Sequence, residues 1–448
     1  MLLDYLNWTP TYRQGLPVLP GALPLIGHTP LINRYSHDLF KRAREALGPI
    51  YAINMGFGRW GVVCEGRPGL DLLRSREVSS ELPRRMVPLL VGVSLISQDG
   101  AVHAHMRSAM NESFQPRGLG QARIGELTQE IIERHIDSWL HLPQISLMSE
   151  IRKLALEIIF RIIGIEPQDL ALWEKWYREF LYGALPIPIA LPGFPMWRGQ
   201  RARAWLTERF LSILATARQA DTRQGLLSSL VHGRDDQGQQ LTDEELIDNL
   251  LFLVLAGHET IASALTSLAL VLTQHPDWLG RLQTEAETAG PRPRSHAELA
   301  RAPIAEALFR ETVRLYAPIF MLTRELTQEQ TLHGHRLPAG TAVGVPLGRL
   351  ARDAEHFPEP ERFFPERWLR ERQAANPIET CAFGIGPHFC LGYPLALLEA
   401  VQFAQTWALG LARHRVHVKP LHPHPLAIRY APFAQPPPKL RVALTRLP

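Results

Sequence analysis

The stretch Phe383-Gly384-Ile385-Gly386-Pro387-His388-Phe389-Cys390-Leu391-Gly392 decides how the rest of this chain is read. Two glycines and a proline precede the cysteine, and a glycine follows two residues after it. A tight loop of that composition aims several backbone N–H groups at one sulfur, which stabilises a thiolate and tunes a metal bound to it. The residues from Leu391 to Leu409 are mostly helix formers, so Cys390 stands just ahead of a helix N-terminus, where the dipole favours negative charge. A cysteine without such neighbours is more often a buried structural residue in a turn; the surrounding pattern turns the reading toward a metal-binding thiolate.

A second segment breaks the rules of its own helix. Thr242 and Glu245 make a capping box, apolar periodicity runs from Leu246 to Leu272, and Pro276 ends it. The spacing predicts a helix over Asp243–Gln274, about 48 Å long at ~1.5 Å per residue. Apolar on most sides, it must cross the middle of a large fold. At its centre stands Ala256-Gly257-His258-Glu259-Thr260. Glycine inside a helix costs ~1 kcal/mol against alanine, and an apolar helix does not readily bury Glu beside Thr. Such a breach at mid-length is where function is expected. Further helical periodicity spans Leu127–Leu140, Ile145–Ile163 (stopped by Gly164) and Trp205–Ala217. Ile50–Met55 and Trp60–Cys64 read as a hairpin about Gly56 and Gly58, and the chain beyond His422 as Pro-rich with short extended pieces. The fold class is therefore mainly α with a small β region.

Composition is that of an ordinary globular chain, 46% hydrophobic and 21% charged. No linker, repeat or low-complexity run divides it, so residues 1–448 read as one domain with a Pro-rich segment, 1–30, packed on it. The net charge of +4 comes almost wholly from Arg, Lys occurring only at 41, 153, 175, 419 and 439. That excludes the clustered basic stripe of a nucleic-acid binder, while a modest basic patch would steer an acidic protein. Three cysteines, Cys64, Cys381 and Cys390, make no disulfide framework or zinc spacing and point to a reducing compartment. The N-terminus shows no signal peptide and no run near the ~20 apolar residues of a membrane span. The expectation is a cytoplasmic monomer without a membrane anchor, and the high Arg content suggests a bacterial source.

The cysteine loop resembles the haem-binding segment of the cytochromes P450: Phe, two residues, Gly, one residue, His or Arg, one residue, Cys, one residue, Gly. Phe383, Gly386, His388, Cys390 and Gly392 fill it. The resemblance implies the cytochrome P450 fold, a long central helix over haem b (iron protoporphyrin IX), with Cys390 as axial ligand. Phe383, Gly384 and Gly392 would surround it, and His388 would contact a propionate. Thiolate ligation pushes electron density toward iron and favours O–O cleavage. Ala256–Thr260 is similar to the family's distal pattern, in which Ala256 and Gly257 border dioxygen, Thr260 hydrogen-bonds it and Glu259 relays protons. A second Thr often follows; here it is Ile261. His103 and Arg107, four apart after Asp99-Gly100, and Arg324 resemble further propionate contacts, whereas His105 falls on another helix face and reads as a surface residue. Glu311, Arg314 and Arg367 match a buried trio that is structural in the family.

The resemblance covers nearly the whole chain. It implies a monooxygenase that inserts one atom of O2 into an apolar or amphipathic small molecule, by hydroxylation or epoxidation, in bacterial secondary metabolism. No flavin or iron–sulfur segment is present, so a ferredoxin or flavodoxin-type donor with its NAD(P)H reductase is implied, and Arg314, Arg349, Arg352 and Arg413 are candidates for docking it. By position, the loop Leu82–Ile96 (with Met86 and Val87), Leu253, Ile319, Phe320, Met321 and Phe433 would form the substrate pocket, and Leu185–Trp197 a mobile lid. Two alternatives stand: a haem-thiolate enzyme of another outcome (oxidative coupling, dehydration, isomerisation), or a non-catalytic haem carrier or sensor. The Glu259–Thr260 pair speaks against the second.

Overall fold

The structure is a computed structural model that describes residues 2–183, 190–219, 225–290, 292–369, 378–424, 426–430 and 433–446, apart from the side chains of Leu2 and Met86. Helices make up 58% of it, well above the ~30–35% of an ordinary globular protein, as the periodicity predicts. The long helix spans Asp243–Gln274. Thr242 Oγ1 accepts the Glu245 backbone N–H at 3.3 Å, and the Thr242 N–H reaches back to Glu245 Oε2 at 2.8 Å. Its residues from Ile261 to Leu272 are buried on every side, so it is the axis of the largest core cluster. Helices Leu147–Ile162 and Tyr393–Arg413 pack along it. The central helix and Tyr393–Arg413 are long and apolar enough to cross a membrane, but 61% and 78% of their apolar windows are buried inside the protein; they are core helices.

Ile50–Asn54 and Trp60–Cys64 form the expected hairpin, Ile50 opposite Cys64. They sit in a seven-stranded sheet ordered Thr11–Arg13, Leu16–Val18, Ile50–Asn54, Trp60–Cys64, Ala342–Pro346, Met321–Leu326, Val78–Ser79. The Pro-rich segment is therefore partly strand. The helix expected from Ile145 begins instead at Leu147, because Gln144–Ser146 pairs antiparallel with Arg441–Arg446. Ile145 is buried all the same, which is why periodicity alone assigns it to the helix. The helix expected from Trp205 starts ten residues earlier, as Pro195–Gln219.

Candidate active site

The Phe383–Gly392 loop closes on itself, with the Cys390 N–H donating to Phe383 O at 2.8 Å. Gly386 has φ +72°, and a Cβ there would lie 2.8 Å from Leu73 O. Only glycine permits that left-handed backbone against a neighbouring chain. The helix starts at Tyr393. Burial pushes the Cys390 thiol up, while the N–H groups of Gly392 and Tyr393 and the Arg107 charge draw it down. Phe383 lies between Phe309 and Tyr393, its ring centroid 6.2 Å and 4.8 Å from theirs.

Cys390 lines a cavity of about 290 Å3 with a mostly apolar wall. Phe383, Gly384, His388, Gly392, His103 and Arg107 line it too. The His103 and His388 rings are 4.3 Å apart, and His103 Nε2 is buried without a hydrogen-bond partner. His388 Nε2 contacts Ser80 Oγ at 2.9 Å and Asp99 Oδ1 at 3.2 Å. Burial, then the Arg324 and His103 charges, bring His388 down to about 4. Arg107 donates to Phe389 O at 2.6 Å and Arg324 to Thr323 O at 2.9 Å. Among the described residues neither guanidinium has a carboxylate within ion-pair distance. An orphaned imidazole nitrogen and the desolvated Arg107 guanidinium on the cavity wall, with the desolvated Arg324 guanidinium outside the lining but close enough to act on His388, are a donor set that two carboxylates satisfy. These residues fit haem.

On the central helix, Ala256, Gly257 and Thr260 line the cavity. Thr260 Oγ1 donates to Ala256 O at 2.5 Å, the back-bonding that a helical threonine adopts. Glu259 does not line it. Its Oε2 accepts from Arg152 Nη2 at 2.8 Å, which turns the carboxylate toward helix Leu147–Ile162 instead. Of the expected pocket residues, Leu253, Ile319 and Phe433 line the cavity, whereas Val87, Phe320 and Met321 do not. Met321 packs against the N-terminal cluster and Phe320 against Tyr430; alternation along the strand that begins at Met321 turns Leu322 to the cavity in its place. From the Leu82–Ile96 loop it is Leu95 and Ile96 that line the wall; the Met86 side chain lies outside the described residues. So do residues 185–189 of the expected lid, whose end opens the helix Pro195–Gln219.

A family model described as "Cytochrome P450" matches residues 199–443. The chain is 35% identical over 447 residues to the "Cytochrome P450 BJ-4 homolog" of Sinorhizobium fredii, across 99% of this chain and the full length of that one. The chain belongs to the cytochrome P450 family. It is accordingly a monooxygenase oxidoreductase, and the family implies haem with a thiolate ligand and the use of O2. This P450 is also 27% identical over 444 residues to "Pentalenene oxygenase" of Streptomyces avermitilis, across 95% of this chain and 96% of the relative. Its fold matches a solved structure, "Retinoic acid bound cyanobacterial CYP120A1", with a TM-score of 0.81 and 28% identity over 96% of this chain and all of that one.

Within this P450 Glu311 and Arg314 are buried and Arg367 is half-buried beside them. Arg314 donates twice to Glu311, at 2.9 and 2.8 Å, and Arg367 Nε lies 3.2 Å from Glu311 Oε2. The Phe364 N–H and Trp368 Nε1 add donors at 2.8 Å each, which no spacing rule signals. Two docking candidates are corrected: side-chain exposure is 2% for Arg314 and 8% for Arg352, and Arg349 pairs with Glu65 at 3.3 Å. Arg413 remains exposed. His105 is likewise half-buried, held by Asp235 at 2.7 Å. The sequence reading missed Glu399, a buried carboxyl on the cavity wall that burial pushes up to about 8.

Proposed function

We propose that this P450 is a haem-thiolate monooxygenase of a single 1–448 domain that hydroxylates or epoxidises an apolar or amphipathic small molecule. The observation that carries it is one cavity lined both by Cys390 and by Ala256, Gly257 and Thr260. Cys390 would ligate the iron, and His103, Arg107, Arg324 and His388 would hold the propionates. Bound there, haem supplies dioxygen reduction and transfer of one oxygen atom to the substrate. The chain's residues do the rest. Thr260 presents a hydroxyl to the cavity, and Glu259, the preceding residue, carries protons to it from the outer side of the helix. Leu95, Ile96, Leu253, Ile319 and Phe433 exclude water and hold apolar carbon. The names of two relatives, carrying pentalenene and retinoic acid, are of the same apolar kind.

Electrons would come from a ferredoxin or flavodoxin-type protein and its NAD(P)H reductase, with Arg413 the docking candidate still at the surface. The unpaired cysteines fit a cytoplasmic enzyme. The test is the reduced carbon monoxide difference spectrum of the purified protein, repeated on Cys390→Ala. A thiolate-type band lost in the variant supports the reading; a nitrogen-type band in the native protein defeats it. With O2 and redox partners, Glu259→Gln should keep the band and lose most product formation.

A further inference from the structure

Glu259 is held outside the cavity by a residue that is itself held by the cavity wall. Arg152, on helix Leu147–Ile162, donates from one Nη2 to Glu259 Oε2 at 2.8 Å and to Gln435 Oε1 at 2.6 Å. Arginine only donates, so it is the Gln435 carbonyl that must face it. The Arg152 Nε is buried without a partner, leaving these two acceptors to fix the guanidinium. Gln435 is 5% exposed and sits two residues after Phe433, which lines the cavity. The short strand Ala434–Gln435 is fastened at Ala434, whose O accepts from Ser263 Oγ on the central helix at 2.6 Å and whose N–H donates to Pro318 O at 2.8 Å.

Among the described residues, the other groups around Glu259 offer no competing cation. His258 Nδ1 is 3.7 Å from Glu259 Oε1, but burial holds that imidazole below its usual range, and both ring nitrogens lack hydrogen bonds. Tyr177 is buried, its phenol pushed up by burial and by the Glu259 charge. For Glu259 to turn toward Thr260 and the cavity, it has to leave Arg152.

We propose that Arg152, aimed by Gln435, is a positioning residue that parks Glu259 outside the cavity, so that displacement of the Phe433–Gln435 segment by a molecule in the cavity eases release of the carboxylate. The inference rests on the proton role given to Glu259 above. It makes idle proton delivery slow in an empty enzyme and faster when the wall at Phe433 is moved.

Two measurements test it, one without turnover. In thermal unfolding, a double-mutant cycle of Arg152→Met and Glu259→Gln should show coupling between the two residues, and that coupling should shrink in a Gln435→Leu background. In the haem-loaded protein without substrate, supplied by a plant-type ferredoxin and its NADPH reductase, Arg152→Met should raise O2 consumption roughly 5- to 10-fold, the low end of coupling between sites. Gln435→Leu should raise it less. Both effects should vanish in the Glu259→Gln background, which a merely structural role would not require. An Arg152→Met effect that persists in the Glu259→Gln background, or a coupling indifferent to Gln435, overturns the tether alone. A Glu259→Gln enzyme with unaltered product formation overturns the proton role beneath it.

Discussion

Asp248 Oδ2 accepts the backbone N–H of Val93 at 2.8 Å, joining the start of the central helix to the loop that ends at the cavity. The other carboxylate oxygen takes Arg203 Nη2, and Arg203 Nη1 reaches Leu89 O at 2.8 Å. The next helical residue, Asn249, accepts the Leu95 N–H at 2.9 Å. One helical turn therefore fixes residues 89–95 and helix Pro195–Gln219 together, and so sets where Leu95 and Ile96 meet the cavity.

Replacing Asp248 with Ala strips a buried carboxylate from an N–H and a guanidinium together. The expected loss is ~2–3 kcal/mol, from one hydrogen bond to a charged group and a half-buried pair. Asp248→Asn should lose less, since its amide oxygen still accepts from Val93. Urea unfolding ranks the two variants, and limited proteolysis shows whether cleavage appears within residues 82–98.

Glu399 makes stability fall with rising pH. Its folded-state value, about 8, lies above the ordinary 4.5, so the folded protein keeps a proton that the unfolded chain gives up. That favourable contribution is complete below pH 4.5 and is lost as pH rises toward 8, at up to ~1.4 kcal/mol per pH unit. Glu399→Gln cannot ionise and should gain on the native protein across that window. Melting temperatures of both at pH 5 and pH 8.5 check the sign; a constant difference would refute it.

Glu311 is fully buried and receives donors from Arg314, Arg367, Phe364 and Trp368. A glutamine there turns an NH2 toward donors and leaves Arg314 buried without a counter-charge. Breaking a buried pair costs ~3–5 kcal/mol out of a total stability of ~5–15 kcal/mol. Glu311→Gln should yield little soluble folded protein, and Arg314→Lys should not rescue the trio because lysine lacks the two-pronged geometry. Soluble yield and circular dichroism melting decide it.

These cases show where the sequence was readable. Cys390, His388 and Phe383 lie within one loop, and Thr242 with Glu245 within one helical turn, so local spacing carries their meaning. Glu311 and Arg314 pair at i, i+3, and the i, i+4 rule finds His103 with Arg107. The partners that decide orientation come from far along the chain: Asp99 for His388, Arg152 for Glu259, Asp235 for His105, Val93 for Asp248. No short-range period encodes those. Phe320 and Met321 were misplaced for the opposite reason, a local pattern too uniform to discriminate. Ile319, Phe320, Met321 and Leu322 are equally apolar, and only the tertiary path of the chain, irregular up to Phe320 and strand from Met321, sends Ile319 and Leu322 to the cavity and the other two away.

Gly257 separates two explanations that the sequence leaves merged, room beside the cavity and room for a neighbouring helix. A Cβ at 257 would lie 3.2 Å from Ile159 Cδ1 and 3.5 Å from its Cγ1. Ile159 itself lines the cavity, and its δ-methyl is the far end of a movable side chain. Gly257→Ala gains ~1 kcal/mol of helix propensity and should push that methyl toward the cavity rather than unfold the protein. Its melting temperature should therefore equal or exceed the native value, while affinity for 4-phenylimidazole, read from the haem spectrum, falls. Adding Ile159→Val removes the displaced methyl, at ~0.5–1.5 kcal/mol in stability, and should restore the affinity. If the double variant binds as weakly as Gly257→Ala, the glycine acts on the cavity directly and Ile159 is a bystander.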